Sequence, residues 1–241
     1  SSARKAPAPL PCPRIQVRGT RTSRHLMIDG SHASMWRPGR DHTASIWDLL
    51  GGAAALLPGS PRVLVLGLGA GSALRVVRSL RPRAHLEAVE LSAEVVAAAR
   101  EGFELDALGA RVHVADAREW LRAVHPDRRF DLVIDDVYDG SSGALSKPHG
   151  WPTALRRAWR LVAPGGLLVV NLLSAPEEFL VRGLPCAGAL RLEHEKYENR
   201  VLWLPRGRLL RPRELKPALA RHALLEPVLA WTTVTALSER T

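Results

Sequence analysis

Cysteine is nearly missing from this chain of 241 residues: Cys12 and Cys186 stand far apart with no C-x-x-C spacing, which excludes a disulfide framework and a cysteine-built metal knot. The nine histidines are scattered and none forms an H-x-x-x-H ligand spacing, so no metal is expected. Neither a G-x-S-x-G elbow nor a G-x-x-x-x-G-K-[ST] loop occurs, and hydrolase and NTPase readings therefore lack their parts. Long apolar runs are absent too. The longest surrounds Leu167–Leu173, far too short to span a bilayer, and a soluble protein is expected. Lysine is scarce: four lysines stand against thirty arginines, spread along the chain without a dense run. The formal charge of +10 thus reads as a solvated arginine-rich surface, and nucleic acid is not an expected partner. The first residue is serine rather than methionine, so a targeting signal is not judged from it and the cytoplasm is the default localisation.

What is present is a globular composition, 46% hydrophobic, in a length that buries one sizeable core with small decorations. Residues 1–13 carry four prolines and read as a loose arm. Residues 14–57 read as a small N-terminal β-unit, with pieces at Arg14–Val17, Leu26–Asp29 and His32–Trp36, an Asp29-Gly30 hairpin turn, and a linking helix over Ser45–Leu57. From residue 58 to 205 strand and helix alternate. Strands are predicted at Val63–Leu66, His85–Leu91, Arg111–Ala115, Phe130–Asp136 and Leu167–Leu172, and helices at Ser72–Leu80, Ala93–Phe103, Ala117–Val124 and Pro152–Val162. Leu190–Tyr197 and Arg200–Leu204 form a closing antiparallel hairpin. The fold class expected is α/β, a Rossmann-like sheet of five parallel strands plus that hairpin. Residues 206–241 read as a helical extension.

The most informative segment is Arg62-Val-Leu-Val-Leu-Gly67-Leu68-Gly69-Ala70-Gly71, an apolar strand running into three alternating glycines and then a helix. Missing side chains let a ligand lie against backbone, and the turn aims helix-start N–H groups outward. The next strand ends in Glu90-Leu91, nineteen residues after Gly71, where an acid in such folds binds ribose hydroxyls. Asp116 either accepts from an adenine amine or caps the helix opening at Ala117. Phe130-Asp-Leu-Val-Ile-Asp135-Asp136-Val-Tyr138-Asp139 delivers a carboxylate pair to the same edge. Asp136 there either orients and deprotonates an amine nucleophile or belongs to a surface turn. Trp36, Trp47 and Trp151 flank this edge and are read mainly as core.

These strings, in this order, resemble the spermidine synthase family of class I S-adenosylmethionine-type transferases over about residues 24–205. The resemblance implies a cofactor turn of Gly67, Leu68, Gly69 and Gly71, a ribose ligand at Glu90 with Leu91 beside it, and adenine contacts at Asp116 and Ala117. It places Asp136 on the catalytic aspartate, also in reach of the cofactor, and Tyr138 and Asp139 on the substrate side. It departs from the family in two places. Leu68 and Ala70 replace a glycine and an aspartate of the aminopropyl transferase turn, and Ser45-Ile46-Trp47 replaces a tyrosine-glutamate polyamine segment. Alanine does not repel the carboxylate of intact S-adenosylmethionine as an acid would. The favoured expectation is methyl transfer from S-adenosylmethionine to a small-molecule or peptide amine. The alternatives are polyamine aminopropyl transfer from the decarboxylated cofactor and a non-catalytic nucleoside-binding module. Family members are often dimers, so a homodimer is a further expectation.

Overall fold

The structure is a computed structural model and describes residues 14–140, 145–173, 181, 183–186, 188–207 and 211–237. The proline-rich arm with Cys12 lies outside those residues. Three short strands, β1 (Ile15–Gly19), β2 (Arg24–Ile28) and β3 (Ser31–Trp36), form an antiparallel sheet of their own. Asp29 and Gly30 both hold positive φ, 49° and 82°, the two left-handed residues a tight β2–β3 turn needs. The linking helix is shorter than its pattern predicts. It is α-helical as α1 (Ile46–Gly51) and then tightens to 3₁₀ over Gly52–Leu56, where glycine and a run of alanines follow the larger apolar residues.

The main body is one eight-stranded sheet. In chain order its elements are β4 (Arg62–Leu66), α2 (Ser72–Leu80), β5 (His85–Glu90), α3 (Ala93–Phe103), β6 (Arg111–Val114), α4 (Ala117–Ala123), β7 (Phe130–Asp135), α5 (Trp151–Leu161) and β8 (Val162–Leu172). These are followed by β9 (Leu190–His194), β10 (Arg200–Pro205), α6 (Pro212–Leu219), α7 (Glu226–Leu229) and β11 (Thr232–Ala236). The strand order is β11-β9-β10-β8-β7-β4-β5-β6; β4 to β8 are mutually parallel and the last three run antiparallel. The expected five-strand parallel sheet and closing hairpin are therefore present, giving the α/β Rossmann-like class.

The C-terminal segment is where the pattern misleads. Its α6 and α7 are helical, but Thr232–Ala236 is a strand that pairs with β9 at the sheet edge. Four β-branched residues in Thr-Thr-Val-Thr favour a pleated surface, and the unpaired edge of β9 supplies the backbone partners.

The pleat sends alternate residues to two cores. Val63, Val65, Leu132, Ile134 and Trp203 pack on the side of α1, α2 and α6, whereas Leu64, Leu66, Val133 and Leu168 pack on the side of α4 and α5. Central strands buried on both faces explain the near-continuous apolar runs in the sequence. Trp203 on β10 is fully buried, sits opposite Val169, and donates its indole N–H to the Leu49 carbonyl of α1 at 3.2 Å. Among the described residues no helix is long and apolar enough to cross a membrane. Trp203→Ala should cost about 3–5 kcal/mol, because it removes both a large core volume and the partner of the Leu49 carbonyl. Urea unfolding followed by circular dichroism reads this, and a loss below about 1 kcal/mol would contradict the role given to Trp203.

Candidate functional site

The carboxyl ends of β4, β5 and β7 stop side by side. Backbone bonds carry the ladder one residue past each strand: Gly67 N–H donates to Val89 O at 2.9 Å, Ala115 N–H to Glu90 O at 2.9 Å, and Asp136 N–H to Leu66 O at 2.8 Å. Gly67, Glu90 and Asp136 thus share one edge, as expected of ligand sites in open α/β sheets.

Gly67, Gly69 and Gly71 have φ of 80°, 52° and 83°. A Cβ on Gly67 would stand 2.5 Å from the Asp136 carbonyl oxygen, and one on Gly69 would stand 2.5 Å from Ser34 Oγ. Two constraints therefore select glycine here, the left-handed backbone and the close approach of a neighbour. Leu68 and Ala70 point into the body and are buried. Beneath the turn lies β3, a contact the sequence did not announce. Ser34 Oγ accepts from Ala70 N–H at 2.8 Å, while Ser72 Oγ accepts from Met35 N–H at 3.0 Å and donates to Met35 O at 2.8 Å. The small N-terminal sheet is in this way fastened to the glycine turn.

Glu90 reaches back to the turn. One carboxylate oxygen accepts from the Leu68 and Gly69 N–H groups, both at 3.1 Å, and the other from Ser92 N–H at 3.2 Å. Burial pushes its carboxyl above the usual range and these N–H groups oppose that. Leu91 beside it is 59% exposed, an apolar side chain at the same edge. Asp116 caps α4 by accepting from Arg118 N–H at 2.7 Å, and the Arg118 guanidinium grips both its oxygens. The hydrogen bonds from Arg118 hold the Asp116 carboxyl below its ordinary value. The capping alternative for Asp116 is thus realised, and Ala117 opens the helix, 7% exposed.

Asp135 and Asp136 are consecutive and so face opposite sides of the sheet. Asp135 is fully buried toward α5, where it accepts from the Trp151 indole at 2.8 Å and pairs with Lys147 at 3.1 Å. Asp136 is partly buried on the side of α1. Asn171 Nδ2 donates to it at 2.7 Å, and the Trp47 indole is in donating reach. Asn171 in turn accepts from Asn199 Nδ2 at 3.0 Å through its side chain and from the Tyr138 hydroxyl at 2.7 Å through its carbonyl. Desolvation pushes Asp136 up to about 6 against the pull of these donors. Such a carboxylate accepts a proton at neutral pH.

Sequence reading brought Gly67–Gly71, Glu90, Asp136 and Tyr138 to this edge. Asp139 is exposed and lies in the field of Arg118. Of the three tryptophans, Trp47 and Trp151 meet the acid pair, while Trp36 is packed under Arg24 and Arg75, their guanidinium carbons 5.3 and 4.7 Å from its ring centre. Reading along the chain missed Ser34, Lys147, Asn171 and Asn199. The one available signal was an asparagine closing the apolar run Leu167-Leu-Val-Val-Asn171, since a buried polar group implies a partner. Among the described residues no cluster of His, Cys, Asp or Glu could hold a metal.

Residues 63–166 match the family model of a methyltransferase domain. Over 119 residues the chain is 30% identical to a polyamine aminopropyltransferase of Vibrio vulnificus, an alignment covering 48% of this chain and 39% of that protein. The match thus spans well under two thirds of that relative's length. Among solved structures, a probable spermidine synthase from Corynebacterium glutamicum superposes with a TM-score of 0.74 at 21% identity, covering 95% of this chain and 91% of that one. Human methyltransferase-like protein 13, in complex with SAH, gives 0.61 at 21%, covering 77% and 92%. At these identities the superpositions establish the fold.

The raised Asp136 carboxyl has a stability consequence. Between an ordinary value near 3.8 and about 6 the folded chain holds a proton that the unfolded chain releases. Stability from this group is therefore full below the lower value and lost as pH rises through the upper one. Asp136→Asn should be more stable than wild type at about pH 7.5 by about 1–2 kcal/mol, a figure reduced for solvent screening. The advantage should vanish near pH 4, and paired denaturation curves at the two pH values measure it.

Proposed function

We propose, for a chain that belongs with the spermidine synthase-like, S-adenosylmethionine-dependent transferases, that it binds intact S-adenosylmethionine at the glycine turn and passes a methyl group to an amine held against Asp136. The residues fit that ligand. Gly67 and Gly69 leave main chain free of Cβ atoms, Glu90 sets a carboxylate where ribose hydroxyls would lie, and exposed Leu91 adds an apolar surface for a base. Asp116 and Ala117 at the start of α4 border the same edge. The cofactor supplies an electrophilic methyl carbon on sulfur.

The chain's own part is to desolvate, orient and accept a proton. Asn171 and the Trp47 indole orient the Asp136 carboxylate toward the acceptor nitrogen. Near neutral pH that carboxylate takes the proton the amine must lose. Tyr138, held by the Asn171 carbonyl, walls the acceptor side. In-line attack needs this positioning more than it needs further chemical groups.

The observation that carries methyl over aminopropyl transfer is Ala70. It is 2% exposed, its N–H is closed by Ser34, and Glu90 is the carboxylate that the described hydrogen bonds bring onto the turn. A decarboxylated donor presents an ammonium with no carboxylate beside it, and nothing acidic stands at residue 70 to receive it. Aminopropyl transfer shares Asp136 and draws on the likeness to the Vibrio vulnificus aminopropyltransferase. Asp139, the acid that would take a second amine, already lies in the field of Arg118.

Calorimetry against S-adenosylmethionine and its decarboxylated form should give at least about tenfold tighter binding of the intact cofactor, equivalent to about 1.4 kcal/mol. The reverse preference would overturn methyl transfer. Glu90→Gln should weaken the same binding about tenfold through loss of charge-assisted bonds.

A further inference from the structure

Lys147 is one of only four lysines in a chain with thirty arginines, and it is enclosed. Its side chain is 3% exposed. The ammonium donates to Asp135 Oδ2 at 3.1 Å and to the Val137 carbonyl at 3.0 Å, and it lies 4.4 Å from the Tyr138 ring centre. A compact point charge satisfies all three at once, where a planar guanidinium would need a broader space. Asp135 is fully buried in turn: Lys147 and the Trp151 indole share one oxygen, and Val137 N–H reaches the other at 3.2 Å. Asp135 therefore offers nothing to a ligand. It holds the lysine.

We propose that Lys147 is a positioning residue that cancels the charge of Asp135, so that the acid pair at the end of β7 presents a single carboxylate, Asp136, to the acceptor. The contacts close a ring. Lys147 touches the Tyr138 face, the Tyr138 hydroxyl donates to the Asn171 carbonyl, and Asn171 Nδ2 donates to Asp136. The groups that act on Asp136 are Asp135 from β7, Lys147 from the segment before α5, Asn171 from β8 and Trp47 from α1. Behind Trp47 stands the His32 ring, edge-on at 5.2 Å, and behind Asn171 stands Asn199. Of the two charged neighbours, Asp135 disfavours an anion at residue 136 and Lys147 favours one. Without Lys147 the repulsion stands alone, Asp136 binds its proton more tightly, and a smaller fraction of it is free to accept a proton at neutral pH. One net negative charge also matches one ammonium at the reacting end of the acceptor.

This inference rests on placing the acceptor at Asp136, yet its test is read on the free protein and does not depend on which donor binds. Carboxyl resonances of ¹³C-labelled aspartate are followed against pH, with the Asp136 signal assigned by its loss in Asp136→Asn. The wild-type midpoint should lie near 6. Lys147→Gln should raise it by about one pH unit. Asp135→Asn combined with Lys147→Gln should restore the wild-type midpoint, because both charges go together. That double variant, uncharged and close in shape, keeps the test open if the single variant fails to fold. An unmoved midpoint in Lys147→Gln, or a fall in the double variant, would show that the lysine does not offset Asp135 and would overturn the proposal.

Discussion

The hydrogen bond from Asp136 N–H to the Leu66 carbonyl, one residue beyond the paired strands, is the contact on which the site depends. It pulls the end of β7 against the end of β4 until the Asp136 carbonyl sits where a side chain on residue 67 would have to be. Glycine at 67 is the consequence, and a turn of bare main chain beside an acid follows from it. Parallel strands in register deliver that geometry because the N–H groups of Gly67, Ala115 and Asp136 are paired to the neighbouring strands, leaving the side chains to be aimed by the pleat.

The pleat then divides the labour of two neighbouring acids. Asp135 goes to the α5 side, where an indole and an ammonium neutralise it, and Asp136 goes to the α1 side, where only neutral donors meet it. The Lys147 ammonium contacts the first directly and acts on the second only from a distance. An acid kept partly desolvated without a cation of its own has a raised proton affinity, and that is a property of proton-transfer sites. The fold accepts a local loss of stability at Asp136 in exchange.

The N-terminal sheet has a second function in this arrangement. Ser34 and Met35 bind the underside of the glycine turn, and Arg24 and Arg75 sandwich Trp36 against the body. A unit that looks like a decoration in the sequence is thereby part of the support beneath the glycine turn. It also brings α1 and Trp47 across to the far side of Asp136.

Local periodicity and glycine spacing were enough to reveal the five parallel strands, the turn at Gly67–Gly71 and the acids at 90 and 136, because each of these is encoded within a few consecutive residues. Asp116 shows the limit of that encoding: cap and adenine ligand use the same residue type, and the grip of Arg118 on its carboxylate is seen only in the folded chain. The strand Thr232–Ala236 depends on an open edge of β9, which exists only once the sheet is assembled. Lys147, Asn171, Asn199 and Ser34 lie far along the chain from the groups they bind, and no spacing rule links them. Sequence thus decided which chemical groups reach the sheet edge; the tertiary structure decided which of them are neutralised, because burial and counter-charge come from residues that meet only in the folded chain.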